Sequence, residues 1–146
     1  MSKGTIALGA DHAGVYYKDA VKQVLIDAGY EIIDCGTNSG DSVDYPDFVH
    51  PAAEAVSSNK ATLGLLFCGS ANGVAMSANK HQDIRAAIAW QKDLAVLARQ
   101  HNDANMLAIP CRFIAKELAI DIINTFLETN FEGGRHQRRV DKIAYC

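Results

Sequence analysis

Residues 61–80 read ATLGLLFCGSANGVAMSANK, and the fold follows from them. Leu63 to Phe67 form a short apolar run of the kind that marks a strand buried on both faces. The run stops at Cys68. Gly69, Ser70, Ala71, Asn72 and Gly73 follow as a tight loop of small residues, and Val74, Met76 and Ala78 predict a helix to Lys80. Strand, small-residue loop, helix is the build of an anion cradle, because the first N–H groups of a helix have no partner within it. This cradle opens beside a thiol. A helix N-terminus lowers a thiol pKa, which makes Cys68 a candidate base or nucleophile. The other reading is a buried structural cysteine beside a phosphate loop, and the stretch alone leaves both open.

Outward from this unit, strand-like runs alternate with helical patterns. Strands are expected at Thr5 to Leu8, Glu31 to Asp34, Leu63 to Phe67, Ala86 to Ala89 and Met106 to Ile109. Helices are expected over about Val15 to Ala28, Pro46 to Ser57, Val74 to Lys80, Gln91 to Arg99 and Ile114 to Leu127, with a last one from about 135 to 145. The fifth shows its face plainly, since Leu118, Ile122 and Phe126 recur at i+4 with Ile123 beside them. Alternation of this kind predicts βαβ units, hence an α/β fold with a parallel sheet and helices on both faces.

Composition bounds the function. A chain of 146 residues suits one domain with a real core. A net charge of −3 argues against nucleic acid and against a polybasic membrane partner. The four cysteines, Cys35, Cys68, Cys111 and Cys146, form no CxxC pair and no zinc or disulfide spacing, which suits a reducing compartment. The apolar run after Lys3 is too short for a signal peptide, so the cytoplasm is the expected location.

Parallel sheets bind ligands beyond the carboxyl ends of their strands, so each strand end matters. The first ends in Gly9-Ala10-Asp11-His12-Ala13-Gly14, which lacks the middle glycine of a dinucleotide fingerprint and the Lys-Ser/Thr of a Walker loop. Asp11 and His12 are either ligand contacts or a helix cap. Tyr45, just before Pro46, either projects from the loop rim or packs on the helix start. His101, in Arg99-Gln100-His101-Asn102-Asp103, is either an acid/base group or a C-terminal cap. His50 and His81 read as surface helix-end residues. Arg112 falls at the ligand edge. After Gly133-Gly134, Arg135 and Arg139 share a helix face, and two guanidinium forks on one face suit a phosphate better than a merely solvated surface.

GADHAG at 9–14, DYPDF at 44–48, CGSANGVAMSANK at 68–80, RQHNDANMLA at 99–108 and EGGRHQRRV at 132–140 together resemble the ribose-5-phosphate isomerase B family, which includes the galactose- and allose-6-phosphate isomerases. The resemblance spans nearly the whole chain. It implies a five-stranded, Rossmann-like α/β/α sandwich, found as dimers or tetramers, that interconverts aldose and ketose phosphates with no metal or cofactor. It implies Cys68 as the base between C1 and C2, Ser70 as the hydroxyl that moves the proton between oxygens, and Gly69, Ala71, Asn72 and Gly73 as the hole around the enediolate. His101 corresponds to the residue that opens the furanose ring. Asp11, His12, Tyr45 and Asn102 correspond to sugar contacts. Arg112, Arg135 and Arg139 correspond to phosphate contacts, with His136 among them.

One residue departs from the pattern: Ala71 stands where relatives often carry glycine. If that position needs a positive φ, alanine costs about 1 kcal/mol or shifts the hole. Geometry adds an expectation about assembly. Cys68 ends a strand, whereas His101 ends a helix returning to the opposite sheet edge, so His101 and Asn102 should reach the Cys68 of a second copy, with the last helix at the interface. The expected partner is a phosphorylated sugar, a pentose phosphate first; hexose 6-phosphates, a tetrose phosphate and a non-catalytic binding module are the alternatives.

Overall fold

The computed structural model describes residues 2–145. Five strands, β1 (Thr5–Ala10), β2 (Glu31–Asp34), β3 (Leu63–Cys68), β4 (Ala86–Ile88) and β5 (Met106–Pro110), form one parallel sheet in the order β2-β1-β3-β5-β4. Six helices accompany them: α1 (Val15–Asp27), α2 (Pro46–Ser57), α3 (Asn72–Ala78), α4 (Lys92–Gln100), α5 (Lys116–Glu128) and α6 (Arg135–Asp141). This is the α/β architecture expected from the strand and helix pattern.

The two-residue side-chain period of a strand divides the core. On β3, Leu65 and Phe67 face one side with Val21 and Leu25 of α1, Ala95 and Ala98 of α4, and Ile122 and Phe126 of α5. Leu66 and Cys68 face the other, against Val49 and Ala52 of α2 and Val74 and Ala78 of α3. β3 and β5 are therefore apolar at every position, as is β1 after Thr5, and each large side chain so buried contributes about 1.5–3 kcal/mol.

The buried ammonium of Lys18 was not visible in the α1 pattern. Its Nζ donates to Asp34 at 2.8 Å, to Asp19 at 3.0 Å and to Asn38 Oδ1 at 3.0 Å, and its side chain is fully buried. Burial opposes the charged form of Asp34, but hydrogen bonds from Lys18, the Gly36 amide and Lys22 outweigh it and hold the carboxyl below its usual pKa. Asp34 thus anchors α1 to β2.

Gly14, the N-cap of α1, shows why the chain needs no side chain there. A Cβ on it would lie 2.1 Å from the Phe67 carbonyl oxygen. Helix ends differ from expectation by two residues or more in α3, which also stops at Ala78 rather than Lys80, and in α5 and α6. α3 begins at Asn72, two residues earlier than predicted, because Ala71 turns the chain in the left-handed region at φ 69°. α5 starts at Lys116 rather than Ile114, and α6 stops at Asp141, short of 145. Among the described residues no helix is long and apolar enough to cross a membrane.

Candidate active site

β1 and β3 are paired, so their carboxyl ends bring Asp11 to Cys68 across 57 residues of sequence. The Cys68 thiol donates to Asp11 Oδ2 at 3.2 Å. Asp11 Oδ1 accepts the N–H groups of Ala13 at 2.9 Å and Gly14 at 3.1 Å, which fixes the carboxylate at the start of α1. Of the two readings of Asp11, the structure shows a turn-closing carboxylate at the start of α1, although the N-cap itself is Gly14, and adds a contact to the thiol that neither reading named. Both residues are nearly sequestered, with Cys68 8% and Asp11 7% exposed.

The loop after Cys68 wraps the sulfur. Ala71 does adopt a positive φ, so the sequence condition for strain at this position is met. Ser70 Oγ accepts the Asn72 N–H at 3.2 Å. Tyr45, half-exposed at the α2 N-cap, covers Gly73 so closely that a Cβ there would lie 2.4 Å from its ring. Arg112 donates its N–H to the Gly69 carbonyl at 3.1 Å and lays its side chain across the same glycine. His12 Nδ1 accepts the Val43 N–H at 3.3 Å, tying the 37–44 loop to this edge.

The expected lowering of the Cys68 pKa is corrected here. Burial pushes the thiol up, and the hydrogen bond and negative charge of Asp11 push it further. The amides of Ala71 and Ser70 act in the opposite direction, as the cradle argument required, but they do not win. In the unliganded chain the sulfur holds its proton.

A second cluster forms where α4 meets α6. His101 is the C-cap of α4, its N–H bonded to Leu97 O at 2.9 Å, so the capping reading is correct for its backbone. Its ring stacks on His136, centroids 4.2 Å apart and planes 12° from parallel. Both rings face Glu132, whose Oε1 lies 3.7 Å from His101 Nε2 and 3.4 Å from His136 Nε2. The Glu132 N–H bonds Gln100 O at 3.1 Å and clips the segment before α6 to the end of α4. His101, Asn102, Arg135, His136 and Arg139 line a cavity of about 450 Å³. Desolvation lowers the pKa of His136, and neighbouring His101 and Arg135 lower it further, against Glu132.

The two clusters lie at opposite edges of the sheet. β5 pairs with β3 from Met106 opposite Gly64 to Pro110 opposite Cys68. His101 precedes the start of β5, whereas Arg112 follows its end, and the strand between spans on the order of 13 Å. The three arginines expected to hold a phosphate are thus divided: Arg112 beside Cys68, Arg135 and Arg139 beside His101.

Comparison with known proteins bears on this arrangement. The family model described as Ribose/Galactose Isomerase matches residues 6–143. The chain belongs to the ribose/galactose isomerase family. Ribose-5-phosphate isomerase B of Escherichia coli is 41% identical over 139 residues, 95% of this chain and 93% of that protein. A crystal structure of a ribose 5-phosphate isomerase from Thermotoga maritima superposes with a TM-score of 0.95 at 46% identity, covering 97% of this chain and 98% of the other. The Mycoplasma genitalium ribose-5-phosphate isomerase B with bound ribulose-5-phosphate gives 0.94 at 41% identity, covering 98% and 95%.

For this member of the ribose/galactose isomerase family, the sequence reading gave no role to Glu132, although it falls inside the EGGRHQRRV block, nor to Val43. Glu132 lies before α6, and only the turn at Gly133 and Gly134, both at positive φ, brings it to His136. His50 and His81, left unassigned from sequence, are paired by a 2.8 Å contact between ring nitrogens that joins α2 to the end of α3.

Proposed function

We propose that this isomerase interconverts ribose 5-phosphate and ribulose 5-phosphate through an enediolate, in sites that each combine the Cys68 edge of one copy with the His101 edge of another. The observation that carries the proposal is the division just described. One chain offers a thiol on an amide-lined loop at one edge and a histidine with two arginines at the other, and neither half alone can hold and turn over a sugar phosphate. The relative with bound ribulose-5-phosphate supports the choice of substrate class.

On this reading Arg135 and Arg139, with Arg112 of the other copy, hold the phosphate, and His101 opens the ring. Asp11, His12, Tyr45 and Asn102 hold the open-chain hydroxyls. Cys68 takes the C2 proton as thiolate and returns it to C1, while Ser70 relays a proton between the two oxygens. Removing a proton beside a carbonyl builds charge on oxygen, and each fixed N–H donor on that oxygen contributes about 2.7–4 kcal/mol. The N–H groups around Gly69, Ser70, Ala71, Asn72 and Gly73 fill that role, and a positioned base adds roughly 10²- to 10⁴-fold. The phosphate does not react, so its binding energy is free to hold C2 against the sulfur. Because Cys68 rests as the thiol, the rate should rise with pH through the neutral range. The α6 helix packs at the subunit interface of a homodimer or tetramer.

The test is product formation from ribose 5-phosphate, with allose and galactose 6-phosphates alongside. Cys68→Ala should abolish isomerisation while leaving sugar-phosphate binding nearly intact; near-normal turnover would remove the mechanism. Mixing Cys68→Ala with His101→Ala chains should restore activity in one of two sites of a heterodimer. Confirmed heterodimers without activity would overturn the shared site.

A further inference from the structure

We propose that Lys18 and Asn38 are positioning residues of the sugar site: together they hold the 37–44 loop where the Val43 N–H fixes His12 as the neutral imidazole with its proton on Nε2. The proton assignment follows from the hydrogen bond. A backbone N–H can only donate, so His12 Nδ1, which accepts the Val43 N–H at 3.3 Å, must present a lone pair. The other ring nitrogen, Nε2, then carries the hydrogen and is a donor. A donor of fixed direction suits a sugar hydroxyl or carbonyl oxygen. The opposite tautomer would offer that oxygen a lone pair instead.

The loop that delivers Val43 is exposed from Asn38 to Ser42. Exposed loops with few buried contacts open easily, so the position of this one depends on its ties. Two side chains tie it to α1 and the turn before it, one near each end. His12 holds Val43, and Lys18 holds Asn38, whose Oδ1 accepts from Nζ at 3.0 Å. Lys18 is itself fixed. Its side chain is fully buried, and Asp34 accepts from Nζ through both carboxylate oxygens, at 2.8 and 3.0 Å. Asp34 Oδ1 also accepts the Gly36 N–H at 2.9 Å. The Ala10 N–H then bonds Gly36 O at 2.6 Å and the Thr37 N–H bonds Ala10 O at 2.8 Å, which seats the root of the loop beside Asp11. A buried ion pair is a poor source of stability, since apolar side chains of similar volume often do as well. One that also reaches an exposed loop residue sets position.

The tautomer stands on geometry alone; its part in binding rests on the reading of His12 as a sugar contact. Full-length protein labelled with 15N-histidine, at about pH 8 where imidazoles are ordinarily neutral, gives two-bond 1H–15N correlations that separate Nε2–H from Nδ1–H. The His12 signals are those lost in His12→Gln. Wild type should show His12 as Nε2–H alone. Asn38→Ala, which leaves the Lys18–Asp34 pair whole, should give mixed tautomers and raise KM for ribose 5-phosphate about fivefold with kcat within about twofold, the pattern of a lost binding contact. Asn38→Asp keeps the accepting oxygen and should restore both readouts. Lys18→Met should match Asn38→Ala, with circular dichroism confirming the fold. Mixed tautomers or Nδ1–H in wild type would overturn the assignment. A wild-type tautomer in Asn38→Ala would overturn the tether, whatever its KM. Mixed tautomers with KM unchanged would overturn the part in binding. A chain with no isomerase activity would refute the proposed function, while the spectra still decide the tautomer and its dependence on Asn38.

Discussion

Replacing Gly14 with alanine tests how closely the start of α1 is pressed against β3. The backbone there has φ −105°, which any residue adopts, so the effect is one of space alone. A Cβ would stand 2.1 Å from the Phe67 oxygen and 2.3 Å from its carbonyl carbon. Both are backbone atoms in the middle of the sheet and cannot swing aside. Reaching an acceptable 3.0 Å means that α1 withdraws by about 0.9 Å. That withdrawal stretches the Asp11 N–H bond to Phe67 O, already 3.2 Å, and pulls the carboxylate from the thiol. Overpacking costs about 1–3 kcal/mol and the weakened hydrogen bond about 1 more. A loss of roughly 2–4 kcal/mol follows, which for a chain of this size lowers the melting midpoint by roughly 5–15 °C. Urea unfolding followed by circular dichroism reads the stability, and alkylation of Cys68 mapped by mass spectrometry reads the site. Gly40→Ala is the control, since a Cβ there meets nothing within 4 Å. A Gly14→Ala chain within about 0.5 kcal/mol of wild type, with Cys68 alkylation unchanged, would refute the reasoning.

Asp11→Asn removes the charge and the acceptor that help keep the Cys68 proton in place, so alkylation of Cys68 near pH 8 should speed up; slower or equal labelling would show that burial alone sets the thiol. Cys111 is raised to about 12, chiefly by burial, from the ordinary 9.0. Its contribution is whole below pH 9 and is lost as pH climbs toward 12, so native stability should fall across that window, by up to about 4 kcal/mol if fully expressed. Cys111→Ala should flatten that decline relative to wild type, and an unchanged slope would assign it to other groups.

Much of this was legible in the sequence because the central strands are apolar at consecutive positions. β3 and β5 announce themselves as Leu-Gly-Leu-Leu-Phe and Met-Leu-Ala-Ile, and their order in the sheet follows from right-handed crossovers rather than from any residue. The Asp11, Cys68 and Arg112 cluster was legible as a set of strand ends, whereas the His101 cluster stands at a helix end and on α6. What was hidden depends on distance across the fold. The Asp11 partner of Cys68 is set by strand register, and the cradle argument counted the amides while omitting a carboxylate 57 residues away. Nothing marked Lys18 in the sequence, because a helix pattern does not reveal that Asp34 and Asn38 wait underneath. The early start of α3 needed the left-handed turn at Ala71, a conformation alanine seldom adopts.

The separation of Arg112 from Arg135 and Arg139 has a consequence for how such an enzyme behaves when scarce. If each reaction centre needs one edge from each of two chains, a lone chain is chemically silent however well folded. Specific activity would then decline on dilution, following the association equilibrium rather than the folding one. A chain defective at only one edge would also spoil half the centres of every healthy partner it joined.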